Sequence, residues 1–213
     1  MTDDARATYN RLSRVYGWLS DASERTFVEQ AIEGLLQPQA GEAVLEPGFG
    51  TGQVLLALAE AVGPEGRVAG IDIAEGMVEQ ARRRLAQHEM SNRVELLRGD
   101  MRAAPYPDAT FDAVFMSFTL ELFSDNDQGV VLSQVRRVLV PGGRLCVACM
   151  SEHGGQPIME RLYRWSHEHF PTFVDCRPIN APVLLDASGF SVEQVRRLSM
   201  WGLPVDLVLA RVP

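Results

Sequence analysis

Between residue 43 and about residue 150, short apolar runs alternate with segments whose apolar positions recur at helical spacing. Ala43 to Glu46 reads as a first strand and Gln53 to Val62 as a helix, with Leu55, Leu56, Leu58, Ala59 and Val62 on one side. Arg67 to Asp72 reads as a second strand, reached through a turn at Pro64 and Gly66. Glu75 to Gln87 follows as an amphipathic helix facing inward through Met77, Val78, Ala81 and Leu85. Val94 to Arg98 makes a third strand. Phe111 to Ser117 is a fourth, continuously apolar as a strand covered on both faces should be. Val131, Leu132, Val135, Val138 and Leu139 fit one helical stripe, which is predicted to stop at Pro141-Gly142-Gly143 before a fifth strand, Leu145 to Met150.

After residue 151 the periodicity loosens. Ile158 to Phe170 reads as an aromatic-rich helix and Pro182 to Ala187 as a short one. Val192 to Leu198 and Val205 to Val212 are two last strands, and residues 5 to 37 read as N-terminal helices. Strands joined by helical crossovers predict an α/β fold with a parallel sheet.

The joint between the first strand and its helix is Glu46-Pro47-Gly48-Phe49-Gly50-Thr51-Gly52. Glycines there let the backbone turn sharply and approach a ligand, while the helix start offers free amides. Asp72 ends the second strand, 20 residues past Gly52, where a carboxylate can accept from both hydroxyls of a ribose. For Asp72 and Asp100 a capping role ahead of the next helix or turn is the competing explanation.

Glycine at every second position after an acid resembles the E-x-G-x-G-x-G motif of class I S-adenosylmethionine-dependent methyltransferases. Gly99-Asp100-Met101 resembles the adenine-binding motif of that family, and Leu139-Val140-Pro141-Gly142-Gly143-Arg144-Leu145 its post-helix motif. The resemblance implies a Rossmann-like sheet of seven strands, mostly parallel with the last antiparallel, and helices on both faces. It implies S-adenosylmethionine as cofactor. Glu46 would support the amino-acid end, Gly48 and Gly50 would let the cofactor approach, Asp100 would receive the adenine amino group, and Ile73 and Met77 would pack on the adenine. Thr51, Gly52, Asp72, Met101 and Ser117 complete the expected cofactor set in the core. The spacing Tyr9 to Tyr16, with Arg11 and Arg14 between, resembles the segment that folds over the cofactor in quinone-biosynthesis C-methyltransferases, which adds Tyr16. There the family usually has Tyr-Asp, where this chain has Tyr9-Asn10 and Tyr16-Gly17. The whole-chain resemblance, with the tail Ser199 to Pro204, is to that group and to phospholipid N-methyltransferases. It divides residues 1–213, one methyltransferase domain, into a helical cap over 1–40, a cofactor-binding core over 41–150, and substrate-side helices with the last two strands over 151–213.

Composition narrows the acceptor. A chain of 213 residues with 46% hydrophobic content suits one domain, and a net charge of -8 repels polyanions, so no nucleic-acid substrate is expected. The edge Met116-Ser117-Phe118-Thr119-Leu120-Glu121 also lacks the N-P-P-Y or D-P-P-Y of enzymes resembling this one that act on nucleic-acid amines. The chain is expected to be cytoplasmic, without stable membrane insertion, because it has no long apolar stretch and opens on acidic Met1-Thr2-Asp3-Asp4. A small-molecule or lipid-like substrate is the expected partner, and a homodimer is a possible assembly. Cys146 and Cys149 form a C-x-x-C, but three apart in a strand they face opposite sides and cannot share a metal.

The chemistry is less legible. Phe118, Phe123, Tyr163, Trp165, Phe170, Phe173 and Trp201 suit either an apolar pocket or the core. His153 follows the fifth strand at the ligand-binding edge and titrates near neutrality, although a plain loop histidine reads as well. With Tyr163 and Arg177 it makes the candidate catalytic set. Glu121 and Asp175 are alternative bases, Arg177 suits an enolate-like oxygen, and surface charge is the competing reading for each. His167 and His169, two apart on a helix, cannot converge on one site. Two rivals share the fold: a nicotinamide-dependent oxidoreductase, opposed by Gln53 where the dinucleotide fingerprint needs glycine, and a protein that binds the cofactor without chemistry.

Overall fold

A computed structural model of the chain describes residues 28–153, 177–200 and 203–213. Its strands are β1 (Ala43–Pro47), β2 (Arg67–Asp72), β3 (Val94–Arg98), β4 (Phe111–Ser117), β5 (Leu139–Met150), β6 (Ser191–Met200) and β7 (Leu203–Arg211). They form a seven-stranded sheet in the order β3-β2-β1-β4-β5-β7-β6. Pairings from β3 to β5 are parallel, whereas β7 runs antiparallel to both its neighbours. This is the Rossmann-like α/β sheet expected from the sequence.

The crossover helices are α1 (Gln53–Ala61), α2 (Glu75–Gln87) and α3 (Asp125–Val138), and a short α4 (Ala181–Ala187) precedes β6. Alternation along the strands sends their side chains to two cores. Val44, Val68, Ala113, Phe115 and Cys146 pack with Leu55 and Leu58 of α1 and Val78 and Leu85 of α2. Buried Val28, Ala31, Ile32, Leu35 and Leu36 join that side from a helical segment ending in a π-helical turn, Ile32–Leu36. Leu45, Ile71, Val114, Met116, Val147 and Cys149 face the other way, onto Val131, Leu132 and Val135 of α3 and Leu185 of α4. The two cysteines of the C-x-x-C therefore lie in different cores, as strand geometry requires, and burial pushes both thiols well above their ordinary pKa.

One boundary needs correcting. The stripe ending at Leu139 and the stop at Pro141-Gly142-Gly143 predict a helix running to the glycines and a strand from Leu145. Instead α3 ends at Val138, and Leu139 already pairs with Phe111, after which the register shifts so that Ala113 meets Arg144. The Pro-Gly-Gly segment is an irregularity inside one twelve-residue strand. Its polar groups are covered by the end of β7, through Gly142 N to Val212 O at 3.1 Å and Arg211 Nη1 to Gly142 O at 2.9 Å. Glycine and proline inside a strand mark a bulge as readily as a terminus.

Candidate functional site

The strand order reverses between β1 and β4, and in an open α/β sheet a crevice forms at such a reversal, beyond the carboxyl ends of the strands. Here β1 delivers the glycine loop. Gly48, Gly50 and Gly52 all have positive φ, of 68°, 51° and 79°. Two of them are also small for want of space. A Cβ on Gly48 would lie 2.3 Å from Thr119 Cγ2, and one on Gly52 would lie 2.8 Å from Ala81 Cβ of α2. Around Gly50 no atom falls within 4 Å of such a Cβ, so the middle of the loop faces open space. Helix α1 begins at Gln53 with no side-chain cap, leaving its first amides to that space. Thr51 is half-buried in the loop, and Glu46, at 2% exposure, ends the strand just before it.

Asp72 closes the other side. Its Oδ2 accepts from Gly50 N and its Oδ1 from Ala74 N, both at 2.9 Å, so the carboxylate ties the two loops together and points at the cradle. Each oxygen retains a second lone pair for a further donor. Ile73 beside it is 65% exposed and Met77 half-buried, an apolar ledge at the mouth. Asp100 caps the turn Met101–Ala103 through Arg102 N at 2.9 Å. Its carboxylate is also gripped by the Arg102 guanidinium, with Nη2 at 2.6 Å, and this hydrogen bonding holds its pKa below the usual range despite some burial. The capping alternative thus describes Asp100, and an adenine amino group would share that carboxylate with Arg102. Met101 is buried.

On the β4 side, Phe118 leaves the strand with φ 48°, and Thr119 turns its hydroxyl to Ser117 O at 2.9 Å while its methyl meets Gly48. Ser117 thus takes part through its carbonyl. Glu121 sits in the next turn, Leu120–Leu122, at 1% exposure, which overturns the surface-charge reading for this residue. Its Oε1 accepts from Met150 N at 3.1 Å, and its Oε2 has no hydrogen-bond partner among the described residues. Burial raises its pKa to about 7, outweighing the backbone hydrogen bonds. Because the folded value lies above the unfolded one of 4.5, the carboxyl's full contribution to stability is present below that value and is lost as pH rises through about 7. Glu121→Gln is therefore expected to melt higher than the wild type at pH 8 and no higher at pH 4. The gap has a ceiling of about 3 kcal/mol, and thermal unfolding at the two pH values measures it.

Arg177, a candidate for catalysis, has its contacts at the turn after β4 and the start of α3. Its Nη2 donates to Phe123 O at 2.8 Å, its Nε lies 3.4 Å from Glu121 O, and it pairs with Asp125 at 2.5 Å. The guanidinium braces the turn after β4. His153 is exposed at the end of β5, its amide 3.1 Å from Ser151 Oγ, and it lines a cavity of about 620 Å³ with Asn180, Pro182, Val195 and Arg197. The glycine loop, Asp72, Ile73 and Ser117 thus converge on one crevice, whereas Arg177 is held at the turn after β4 and His153 lies just past β5. Tyr16, Tyr163, Trp165, His167, His169, Phe170, Phe173, Asp175 and Trp201 lie outside the described residues. The sequence places Thr119 in the edge Met116 to Glu121 but does not reveal its contact with Gly48. The signal was faint: a threonine and an acid in the apolar run Phe118 to Phe123, just past a strand end.

Among the described residues no helix is long and apolar enough to cross a membrane. Residues 44–143 match the model of a family described as methyltransferase domain. The chain is 36% identical over 125 residues to the ubiquinone/menaquinone biosynthesis C-methyltransferase of Hahella chejuensis, covering 59% of this chain and 49% of that protein. It is 33% identical over 138 residues to the demethylmenaquinone methyltransferase of Lactobacillus johnsonii, covering 65% and 55%. The chain thus spans about half the length of the curated relatives it matches. Among solved structures, an S-adenosylmethionine-dependent methyltransferase from Aquifex aeolicus superposes with a TM-score of 0.68 at 24% identity, over 87% of this chain and 89% of that one. A 1,6-didemethyltoxoflavin N1-methyltransferase from Burkholderia thailandensis, solved with its substrate and S-adenosylhomocysteine, gives 0.70 at 21%, over 99% and 86%. These two likenesses concern the fold. Residues 44–143, which carry the glycine loop, Asp72 and Asp100, are thus similar to methyltransferase domains, and the similar relatives are named as methyltransferases of ubiquinone and menaquinone precursors.

Proposed function

We propose that this chain transfers the methyl group of S-adenosylmethionine to a small lipophilic acceptor, most simply a ring carbon of a quinol such as demethylmenaquinol. The observation that carries the reading is the crevice at the strand reversal, where open space around Gly50 is faced by Asp72 with lone pairs to spare. The residues fit the cofactor. Asp72 would take both ribose hydroxyls, the loop Gly48–Gly52 and the α1 amides would hold the amino-acid portion beside Glu46, and Ile73 and Met77 would cover the adenine. When bound, the cofactor supplies a methyl carbon made electrophilic by a sulfonium.

What remains for the protein is alignment and exclusion of water, since in-line displacement gains most from holding two reactants at near contact. Thr119 sets the distance between the β1 loop and the β4 turn, and the acceptor would enter from the β4–β5 side, where Phe118 and Ser117 form the edge. A nicotinamide site is disfavoured by Gln53, whose side chain is held by Arg84 of α2 at 3.2 Å where the dinucleotide motif needs glycine. The quinol is favoured over a phospholipid amine by the curated relatives, whose names place them on ubiquinone and menaquinone precursors.

Methyl-labelled S-adenosylmethionine tests the reading with two acceptors, short-chain demethylmenaquinol and vesicles of phosphatidylethanolamine. Label entering the quinol fraction is the expected result. Label in the amine alone redirects the acceptor, and label in neither, with S-adenosylhomocysteine still bound, favours a protein that keeps the cofactor site without this chemistry.

A further inference from the structure

The end of β4 raises a problem of hydrogen-bond accounting that leads to Glu121. In a parallel ladder, Phe118 N donates to Ala148 O, and Met150 N should then donate to Phe118 O. The first bond is present at 2.8 Å. The second is replaced, because Phe118 adopts φ 48° and the chain turns out of the sheet. Met150 N goes instead to Glu121 Oε1 at 3.1 Å, three residues further on. A buried backbone amide left without an acceptor is costly, so the exit of β4 depends on some group supplying what the ladder loses.

We propose that Glu121 is a positioning residue for the cofactor crevice: its carboxyl stands in for the missing carbonyl of β4, and so lets the chain leave the sheet and place Thr119 against Gly48. Three further contacts hold the same turn. Gln128, a buried side chain of α3, donates to Leu120 O and Phe123 O at 3.3 and 3.4 Å, and Arg177 donates to Phe123 O. Those bonds fix the turn against α3 and against the segment that precedes α4. Only the Glu121 carboxyl, among these side chains, fixes it to β5. Met150 in turn receives Ile179 N on its carbonyl at 2.9 Å, and Ser151 bridges to Ile179. The crevice wall that meets Gly48 and the β5 end that carries His153 are thereby coupled through one side chain. This coupling rests on the methyltransferase reading only for its consequence, not for its geometry.

The test uses the full chain, with S-adenosylhomocysteine as the probe and no acceptor. Glu121→Gln keeps the accepting oxygen at the same reach. Glu121→Met removes it at similar volume, and Glu121→Asp, the second variant should the methionine form fail to fold, falls one methylene short. Amide exchange at Met150 is expected to be unchanged in the glutamine variant and to quicken by about tenfold or more in the other two. S-adenosylhomocysteine affinity should follow the same order, kept by glutamine and weakened by about tenfold in the others, one hydrogen bond's worth. Met150 protection equal in all four proteins overturns the proposal. So does protection lost with affinity unchanged, since the wall would then not depend on the bond. If the wild type fails to bind S-adenosylhomocysteine, the functional reading falls, while Met150 exchange still decides whether the carboxyl replaces the ladder bond.

Discussion

Asp72→Ala is expected to weaken binding of S-adenosylmethionine and S-adenosylhomocysteine by about a hundredfold or more, with little change in secondary structure. Two charge-assisted hydrogen bonds to ribose hydroxyls are worth about 1.5 kcal/mol each at the low end, which already gives about 3 kcal/mol and two decades of affinity. The carboxylate also orders the site before any ligand arrives, since Gly50 N and Ala74 N both donate to it. Alanine leaves those amides to water and the loop free to open, so preorganisation is lost as well. Asp72→Asn separates the two contributions. An amide accepts through one oxygen only and turns its NH2 toward the other amide donor, so one loop tie is lost along with the negative charge. Its affinity should fall between alanine and wild type. Titration calorimetry on the three proteins measures this, and equal affinity in all three would remove Asp72 from the site.

The contrast between Asp72 and Glu121 shows what the sequence makes legible. Gly48, Gly50, Gly52 and Asp72 follow directly from strand ends, so a motif and an element boundary suffice to place them. Most of those boundaries were readable because each strand and helix has a period of its own. The period failed at Leu139, which fits the apolar stripe of α3 yet belongs to β5, because an apolar residue at a helix end satisfies both patterns and only the pairing with Phe111 decides. Thr119 and Glu121 were invisible in their roles for a related reason. Their partners, Gly48 and Met150, lie 71 and 29 residues away, and the contacts exist only because β1, β4 and β5 are neighbours in the sheet. The family resemblance implies a mostly parallel sheet of seven strands, but neither their order nor the turn that inverts at Phe118. Nothing in Phe118 as a residue favours positive φ.

The second large effect follows from the same turn. Gly48→Ala combines two penalties that act on different states of the pair. At φ 68° an alanine costs about 1–2 kcal/mol from its own backbone, wherever its neighbours are. Its Cβ would also lie 2.3 Å from Thr119 Cγ2 and 2.5 Å from Oγ1, an overlap that forces the β1 loop and the β4 turn apart, adding about 1–3 kcal/mol. The sum is expected to lower the melting temperature by about 10 °C for a domain of this size. Thr119→Ala removes both closest atoms and leaves its Cβ 3.0 Å away, so the double variant should regain most of the overlap penalty and none of the backbone penalty. A double-mutant cycle therefore returns a coupling of about 1–3 kcal/mol if the two walls touch as described. Cofactor binding should not recover in parallel, because Thr119 sets the spacing as well as filling it, and a crevice relieved of the clash is still wider than the one that evolved against glycine. Coupling near zero, with Gly48→Ala melting at the wild-type temperature, would mean that the β1 loop and the β4 turn do not form one wall.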